Sequence, residues 1–414
     1  MEDKIIRKIA DSYFVFFPSN GYFKTCADEK EAENTFNKGE PLKLVNIKQI
    51  PSMYTIHITN RCNLQCKYCF ANSATANNID MDKKTIKLII KRLASLSIKR
   101  LCIDFHGGEP LLRFDLIEYA LSICDQLLTD KEVVYTIQSN ATLITDEMCR
   151  VFQQRNFVVG ISLDGPLKIH DSNRVSSTGI GSFNKVIDKL ELLKKYNIPY
   201  SIISVVTNPL DMYDIYQFFL QEKITKIKLI PVMPQGRAKK EMIDLEEYAR
   251  IEAELFQKEI HSDKPILLMS SYVMLRKILF VDNSYMCMRN PCGAGINIMS
   301  FDEHGTIFPC DSMSGIADIH ELSFGSVHDD LLDIYETHTW KNITSHTTHT
   351  ITPCKECKYQ NICCGGCKSD VLNYYGDFNH PSPLCSYYQS ILDYYYSILL
   401  QYPDKVIEYM KLFA

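Results

Sequence analysis

Cys62, Cys66 and Cys69 stand as CxxxCxxC in the run Cys62-Asn63-Leu64-Gln65-Cys66-Lys67-Tyr68-Cys69. Three thiolates at this spacing can converge on one side of a short loop. Soft thiolate ligands select iron–sulfur clusters and zinc. A structural zinc site wants a closed set of four ligands, and no nearby His or Cys supplies a fourth. A set of three fits three corners of a cubane cluster with one iron left open. The plain alternative is three core cysteines, because free Cys also packs as a small hydrophobe.

A second group begins at Cys287. Four residues separate Cys287 from Cys292, twelve separate Cys292 from Gly305, and four separate Gly305 from Cys310. Then Cys354 and Cys357 form CxxC, followed after five residues by Cys363, after three more by Cys367, and after seventeen by Cys385. With Cys364 set aside, these are eight thiolates, the number two four-cysteine clusters need. Cys₄ zinc sites have the same ligand count, and spacing does not separate the two. Cys363 and Cys364 are adjacent and their roles can be exchanged, although the spacing favours Cys363. Cys26, Cys102, Cys124 and Cys149 fall in expected strands or helices and read as packing residues.

Other polar punctuation sits between apolar runs. His106-Gly107-Gly108-Glu109-Pro110 lets the backbone approach a ligand closely and follows it with a carboxylate. Gln138-Ser139-Asn140-Ala141-Thr142 and Ser162-Leu163-Asp164-Gly165 end later strands, where Ser139, Asn140 and Asp164 are candidates either for ligand contact or for helix capping. Arg174 offers a guanidinium suited to a carboxylate, or a solvated loop charge. Asp311, directly after Cys310, is a candidate general base or a turn residue. Pro231 to Arg237 marks an irregular loop.

The elements that must position these residues alternate. Strands are expected over 55–59, 101–105, 133–138, 157–163, 200–206 and 226–230. Helices are expected over 82–96, where Ile86, Ile89, Ile90 and Leu93 make a stripe, and over 114–128, 145–155, 182–196, 212–221 and 243–260. Such alternation implies a parallel sheet with right-handed crossovers. The fold class is α/β, an open, partial (β/α)6 TIM-like barrel, whose site lies at the C-terminal ends of the strands. The CxxxCxxC loop follows the first of them. Residues 12–17 and 21–26 read as a hairpin around Pro18-Ser19-Asn20-Gly21. The tail from Ser386 to Phe413 is helical in pattern and broken near Pro403, and its tyrosines read as packing.

The chain resembles the radical S-adenosylmethionine (SAM) enzymes, with the cysteine triad, the Gly-Gly-Glu segment and their order along the barrel carrying the likeness. The second cysteine group resembles the SPASM domain, a C-terminal extension with two auxiliary 4Fe–4S clusters. The resemblance covers about residues 53–390. It implies three 4Fe–4S clusters and SAM as cofactors. Cys62, Cys66 and Cys69 would ligate the first cluster. Cys287, Cys292, Cys310 and Cys367 would ligate the second, with Cys287 the least secure. Cys354, Cys357, Cys363 and Cys385 would ligate the third. Gly107, Gly108 and Glu109 would bind the SAM amino group. Ser139, Asn140, Ser162 and Asp164 would hold its carboxylate and ribose, with Arg174 near the carboxylate. Asp311 matches the base of the anaerobic sulfatase-maturating members.

The organisation then reads as a hairpin extension with a possible peptide-binding surface (1–50), the barrel (51–265), a linker and SPASM domain (266–390) and a C-terminal helix (391–414). The implied activity is modification of a peptide or protein after hydrogen abstraction by a 5′-deoxyadenosyl radical. The first reading is an oxidative crosslink, thioether or carbon–carbon, in a ribosomal peptide. The alternative is an anaerobic sulfatase maturase making formylglycine from Cys or Ser. Expected partners are a peptide or protein substrate, with room for a leader segment, and an electron donor such as flavodoxin or ferredoxin. A non-catalytic metal-binding module is the contrary class, and Glu109 with the open triad argues against it.

Bulk properties agree. The 414 residues are 46% hydrophobic and 23% charged, an ordinary globular balance long enough for two domains. A net charge of −5 gives no support to nucleic-acid binding. No run reaches the ~18 apolar residues of a membrane span, and the charged first ten residues lack a signal-peptide core. A cytoplasmic location is expected, where sixteen cysteines argue for metal more than for disulfides.

Overall fold

The structure, a computed structural model, describes residues 4–9, 12–17, 22–36, 48–73, 78–238, 242–280, 284–314 and 322–414. Near the N-terminus, β1 (Ile5–Ile9), β2 (Ser12–Phe17) and β3 (Tyr22–Cys26) form an antiparallel sheet. β2 and β3 are the expected hairpin, and its turn at 18–21 lies outside the described residues. β1 is an addition: its Arg7-Lys8 pair interrupts the apolar alternation that marks a strand. Val15, Phe17, Cys26 and Ala32 close a small core of their own.

The six expected barrel strands are present. β4 (Met53–Thr59), β5 (Arg100–Gly107), β6 (Glu132–Ser139), β7 (Val158–Ser162), β8 (Tyr200–Val206) and β9 (Lys226–Pro231) pair in parallel, each with the next. The helices between them cover the sheet with apolar stripes. In Lys83–Ser95 the Asp82 carboxylate caps the backbone of Lys84 and Thr85, while Ile86, Ile89, Ile90 and Leu93 are buried. Thr145 and Asp244 cap later helices in the same way. The sequence missed the seven-residue helix Leu167–Asn173, too short to show a period.

The outer residues of β5, Leu101, Ile103 and Phe105, are buried under helices. The inner face is polar. Thr55 lies opposite Asp104, and Asp104 opposite Thr136. The His57 and His106 rings stack 5.4 Å apart. A solid barrel core is filled with branched apolar side chains, so this lining marks a chamber built for polar contents.

The sheet continues past the barrel. β10 (Leu267–Leu268) extends it beyond β9, and β11 (Ile298–Phe301) pairs in parallel with β4 on the other side. β12 (Thr306–Phe308) and β13 (Gly325–Ser326) follow antiparallel, giving a ten-stranded sheet. The tail is two helices, Cys385–Gln401 and Pro403–Leu412, broken at the expected proline. The first lies along Leu245–Glu259, where the Tyr387 and Tyr395 hydroxyls donate to Glu252 at 2.8 and 3.1 Å. No helix among the described residues is long and apolar enough to cross a membrane.

Candidate cluster and cofactor site

The CxxxCxxC loop leaves the C-terminal end of β4 and is held from several sides. The Gln65 and Lys67 amides donate to the Val175 and Asn173 carbonyls at 2.6 and 3.0 Å. The Arg237 amide donates to the Cys69 carbonyl at 3.0 Å, and its guanidinium to the Cys66 carbonyl at 2.9 Å. Thus the loop Pro231–Arg237, which the sequence marked only as irregular, is a clamp on the triad. Gly236 allows it: φ is +59°, and a Cβ there would collide with the Cys69 carbonyl.

The three thiols share one electrostatic environment. Burial pushes the Cys62 thiol up to about 12, with Glu109, Cys66 and Cys69 adding to the rise. Burial likewise raises Cys66, against the opposing pull of Arg174. Bare Cys62 and Cys66 hold their protons, and a bound cation is what makes them thiolates.

Glu109 is fully enclosed at the end of β5. Its carboxylate accepts from the Ser139 hydroxyl at 2.8 Å, the Asn140 amide at 2.8 Å and the Leu111 amide at 3.1 Å. Burial raises its pKa, and these donors oppose the rise. Gly107 and Gly108 press against the triad strand, where any Cβ would strike the Thr59 and Arg61 carbonyl oxygens. The Asn140 side chain donates to Asn63 at 2.9 Å, inside the cysteine loop, and accepts from Thr142. Neither Ser139, Asn140 nor Asp164 caps a helix; Thr145 and Pro166 take those places.

Asp164 is buried at the end of β7. It accepts from Arg174 Nε at 3.0 Å, from the Val205 amide at 3.0 Å and from the Tyr68 hydroxyl. Arg174 also stands over the Tyr68 ring, 5.3 Å from its centre. Burial disfavours the guanidinium charge, but Asp164, Tyr68 and Cys66 together outweigh it. Ser162 accepts from Gln138 at 3.4 Å. The predicted residues 107–109, 139, 140, 164 and 174 therefore gather around the triad, while the Ser162 hydroxyl is tied to Gln138. Tyr68 was missed, and its signal was its place inside the motif.

The chamber beyond the triad holds residues that the sequence did not single out. Lys228, on β9, donates to the Tyr285 hydroxyl at 2.9 Å. Burial lowers its pKa, but Tyr285, Cys287 and Asp311 raise it further. Burial raises Asp104, with His106 opposing and Asp311 adding. Burial lifts Asp370 to about 6 although Gln235 and Cys367 bond to it. Asp311 opens a short helix, and Ser314 in that helix bridges its backbone carbonyl to His57 at 2.7 and 3.1 Å. The period-two spacing of Asp104 with His106, and of Lys226 with Lys228, was the available sign of an inward polar face.

The second cysteine group divides in space. Cys354, Cys357, Cys363 and Cys385 line one cavity of about 460 Å³. Cys287, Cys292, Cys310 and Cys367 lie within electrostatic reach of one another. Cys364 does not line that cavity; its Sγ is 2.8 Å from Lys277 Nζ, in left-handed backbone at φ +53°. Among the described residues no three His, Cys, Asp or Glu side chains close on a single ion. Around these thiols, Lys368 Nζ and Arg289 Nε and Nη2 are buried without a hydrogen-bond partner. Orphaned cations beside gathered thiols fit an anionic, thiolate-ligated group.

Residues 56–219 match the Radical SAM superfamily, a span that runs from β4 to the helix Asp211–Gln221. These residues carry a Radical SAM domain. The chain is similar to the cysteine-type anaerobic sulfatase-maturating enzyme of Clostridium novyi (strain NT), at 25% identity over 377 residues, 87% of this chain and 99% of that one. It superposes on anSMEcpe with bound AdoMet at TM-score 0.75 and 22% identity, covering 86% and 94% of the two chains. It superposes on Streptococcus suis SuiB bound to precursor peptide SuiA at TM-score 0.62 and 17% identity, covering 93% and 99%. The partial barrel with a C-terminal SPASM domain is the fold of this chain.

Proposed function

We propose that the enzyme oxidises a Cys or Ser side chain of a peptide or protein to an aldehyde; its Clostridium novyi relative is named a cysteine-type anaerobic sulfatase-maturating enzyme. The observation that carries the reading is Asp311 beside Cys310, in the chamber that Lys228, Asp104 and His57 line. Similarity across almost the whole relative moves the balance from crosslinking, the first reading of the sequence, to its alternative. When bound, a reduced cluster and SAM would supply the radical that removes one hydrogen atom from the substrate, and the auxiliary clusters would accept the one electron left once the proton has gone.

The chain's own residues do the rest. Cys62, Cys66 and Cys69 hold the open-cornered cluster, and Tyr68, Asn63 and Arg237 fix their loop. Glu109, held in place by Ser139 and Asn140, would bind the SAM amino group. Arg174, held by Asp164, would pair with the SAM carboxylate, and Ser162, Gly107 and Gly108 would complete the binding site. Asp311 would receive the proton released as the C=O bond of a Ser substrate forms, or the C=S bond of a Cys substrate, which water then hydrolyses with loss of sulfide. Cys287, Cys292, Cys310 and Cys367 hold one auxiliary cluster, and Cys354, Cys357, Cys363 and Cys385 the other.

Crosslinking of a ribosomal peptide is the second reading. It is favoured by the antiparallel N-terminal sheet, whose β1 lies near the helix Cys385–Gln401 and offers an edge to an added strand. The test is anaerobic turnover with Cys- and Ser-containing peptides and hydrazide trapping of an aldehyde. Trapped product supports the first reading. Consumption of SAM with a crosslinked peptide and no aldehyde would replace it with the second.

A further inference from the structure

Lys368 follows Cys367 directly and opens the helix Lys368–Tyr375, with only 2% of its surface exposed. Its ammonium is buried without a hydrogen-bond partner. It lies within electrostatic reach of Cys292 and Cys367, from one cysteine set, and of Cys354, from the other. Arg289 is 3% exposed and gives one nitrogen to Asn297, while Nε and Nη2 remain orphaned near Cys292 and Cys364. A third buried cation, Lys277, differs from both: it is satisfied by the Met288 carbonyl and by Cys364.

An unpaired buried cation costs several kcal/mol. Two of them kept in one region require a compensating anion. Asp370 and Asp311 lie beside Cys367 and Cys310, but neither bonds to the orphaned nitrogens of Lys368 and Arg289, which leaves the thiolates and whatever they bind as the compensating charge. Of the two orphans, only Lys368 faces both cysteine sets.

We infer that Lys368 is a cation shared by the two auxiliary cluster sites and that, with Arg289, it sets how readily those clusters accept an electron. The inference rests on the two-cluster reading above. Reduction adds negative charge to a cluster, and a fixed positive charge nearby favours the reduced state. Lys368 is a positioning residue in this scheme; it touches no substrate. Its location also links the two sites electrostatically, so that charge gained at one is felt at the other.

The test uses the full chain carrying Cys62→Ala, Cys66→Ala and Cys69→Ala, reconstituted anaerobically, so that only the auxiliary sites hold iron. Iron, sulfide and zinc are counted first. About eight irons per chain establish two cubane clusters; zinc in their place removes the two-cluster reading and this inference with it. EPR-monitored redox titration then compares Lys368→Met and Lys368→Arg with the parent. The Met variant is expected to show, for both clusters, about a tenfold lower reduced-to-oxidised ratio at fixed solution potential, a downward shift of about 59 mV for a one-electron couple. The Arg variant stays near the parent. Unmoved potentials at full iron content overturn the inference, and movement of one cluster alone overturns the shared position. If the Met variant loses iron and the Arg variant keeps it, the charge is what matters. Loss in both makes Lys368 a packing residue and overturns the inference.

Discussion

Arg174 Nε donates to Asp164 Oδ2 at 3.0 Å, and neither side chain is more than a tenth exposed. The same carboxylate receives Tyr68 from within the cysteine loop, so one buried ion pair fixes both the arginine and the cluster loop. Asp164→Ala strands the guanidinium and is expected to cost about 3–5 kcal/mol. Denaturant titration measures the loss, and iron content at the first cluster should fall with it. A variant of parent stability would show that Arg174 finds another partner.

Glu109→Gln replaces one acceptor oxygen by a donor facing the Ser139 hydroxyl or the Asn140 amide. SAM binding should weaken at least about tenfold, the loss of one charge-assisted hydrogen bond. Equilibrium dialysis with the reconstituted enzyme checks this. Unchanged affinity would leave Glu109 a purely structural residue.

Asp311→Asn should leave reductive SAM cleavage intact and block substrate turnover. Parallel quantification of 5′-deoxyadenosine and modified peptide separates the two. Full product formation by the variant would remove Asp311 as the base.

The triple change of Cys62, Cys66 and Cys69 to Ala should abolish SAM cleavage and retain the auxiliary iron, about eight of an expected twelve per chain. Loss of all iron would show that the sites assemble together.

Glu252 sits between the helices Leu245–Glu259 and Cys385–Gln401, and burial lifts its pKa to about 7 despite the donors Tyr387, Tyr395 and Ser271. A carboxyl raised in the fold binds its proton more tightly there than in the unfolded chain. Its contribution is fully present below about pH 4.5 and is lost as pH rises through 7. Between those limits the change is about 3 kcal/mol. Glu252→Gln should flatten this part of the pH–stability curve, read from urea midpoints at pH 5 and pH 8.

The barrel was legible because its strands and helices carry strong, opposite periods, and six strand positions emerged within a residue or two. The triad and the Gly-Gly-Glu turn were legible because their chemistry is compressed into short runs. The chamber was not. Asp104, Lys228, Tyr285 and Asp370 come from four distant segments, two strands, a loop and a helix, and only the tertiary fold brings them together. Lys368 and Arg289 carried no signal, since nothing in the sequence shows that their surroundings are sealed. β11 was missed because its run Ile298-Met299-Ser300-Phe301 is short and has no helix after it.

The pairing of β11 with β4 joins Met53 to Ile298 and Tyr54 to Met299. During synthesis, the strand that carries the first cluster loop is therefore among the earliest made and among the last to gain its second neighbour. Until residue 301 has emerged, an edge rich in Ile and Thr stays open, and such an edge invites pairing with a foreign strand. The C-terminal domain is thus a stopper for the barrel as well as a holder of thiols. Grafting it between relatives would require matching that seam, residue for residue, before any cluster is considered.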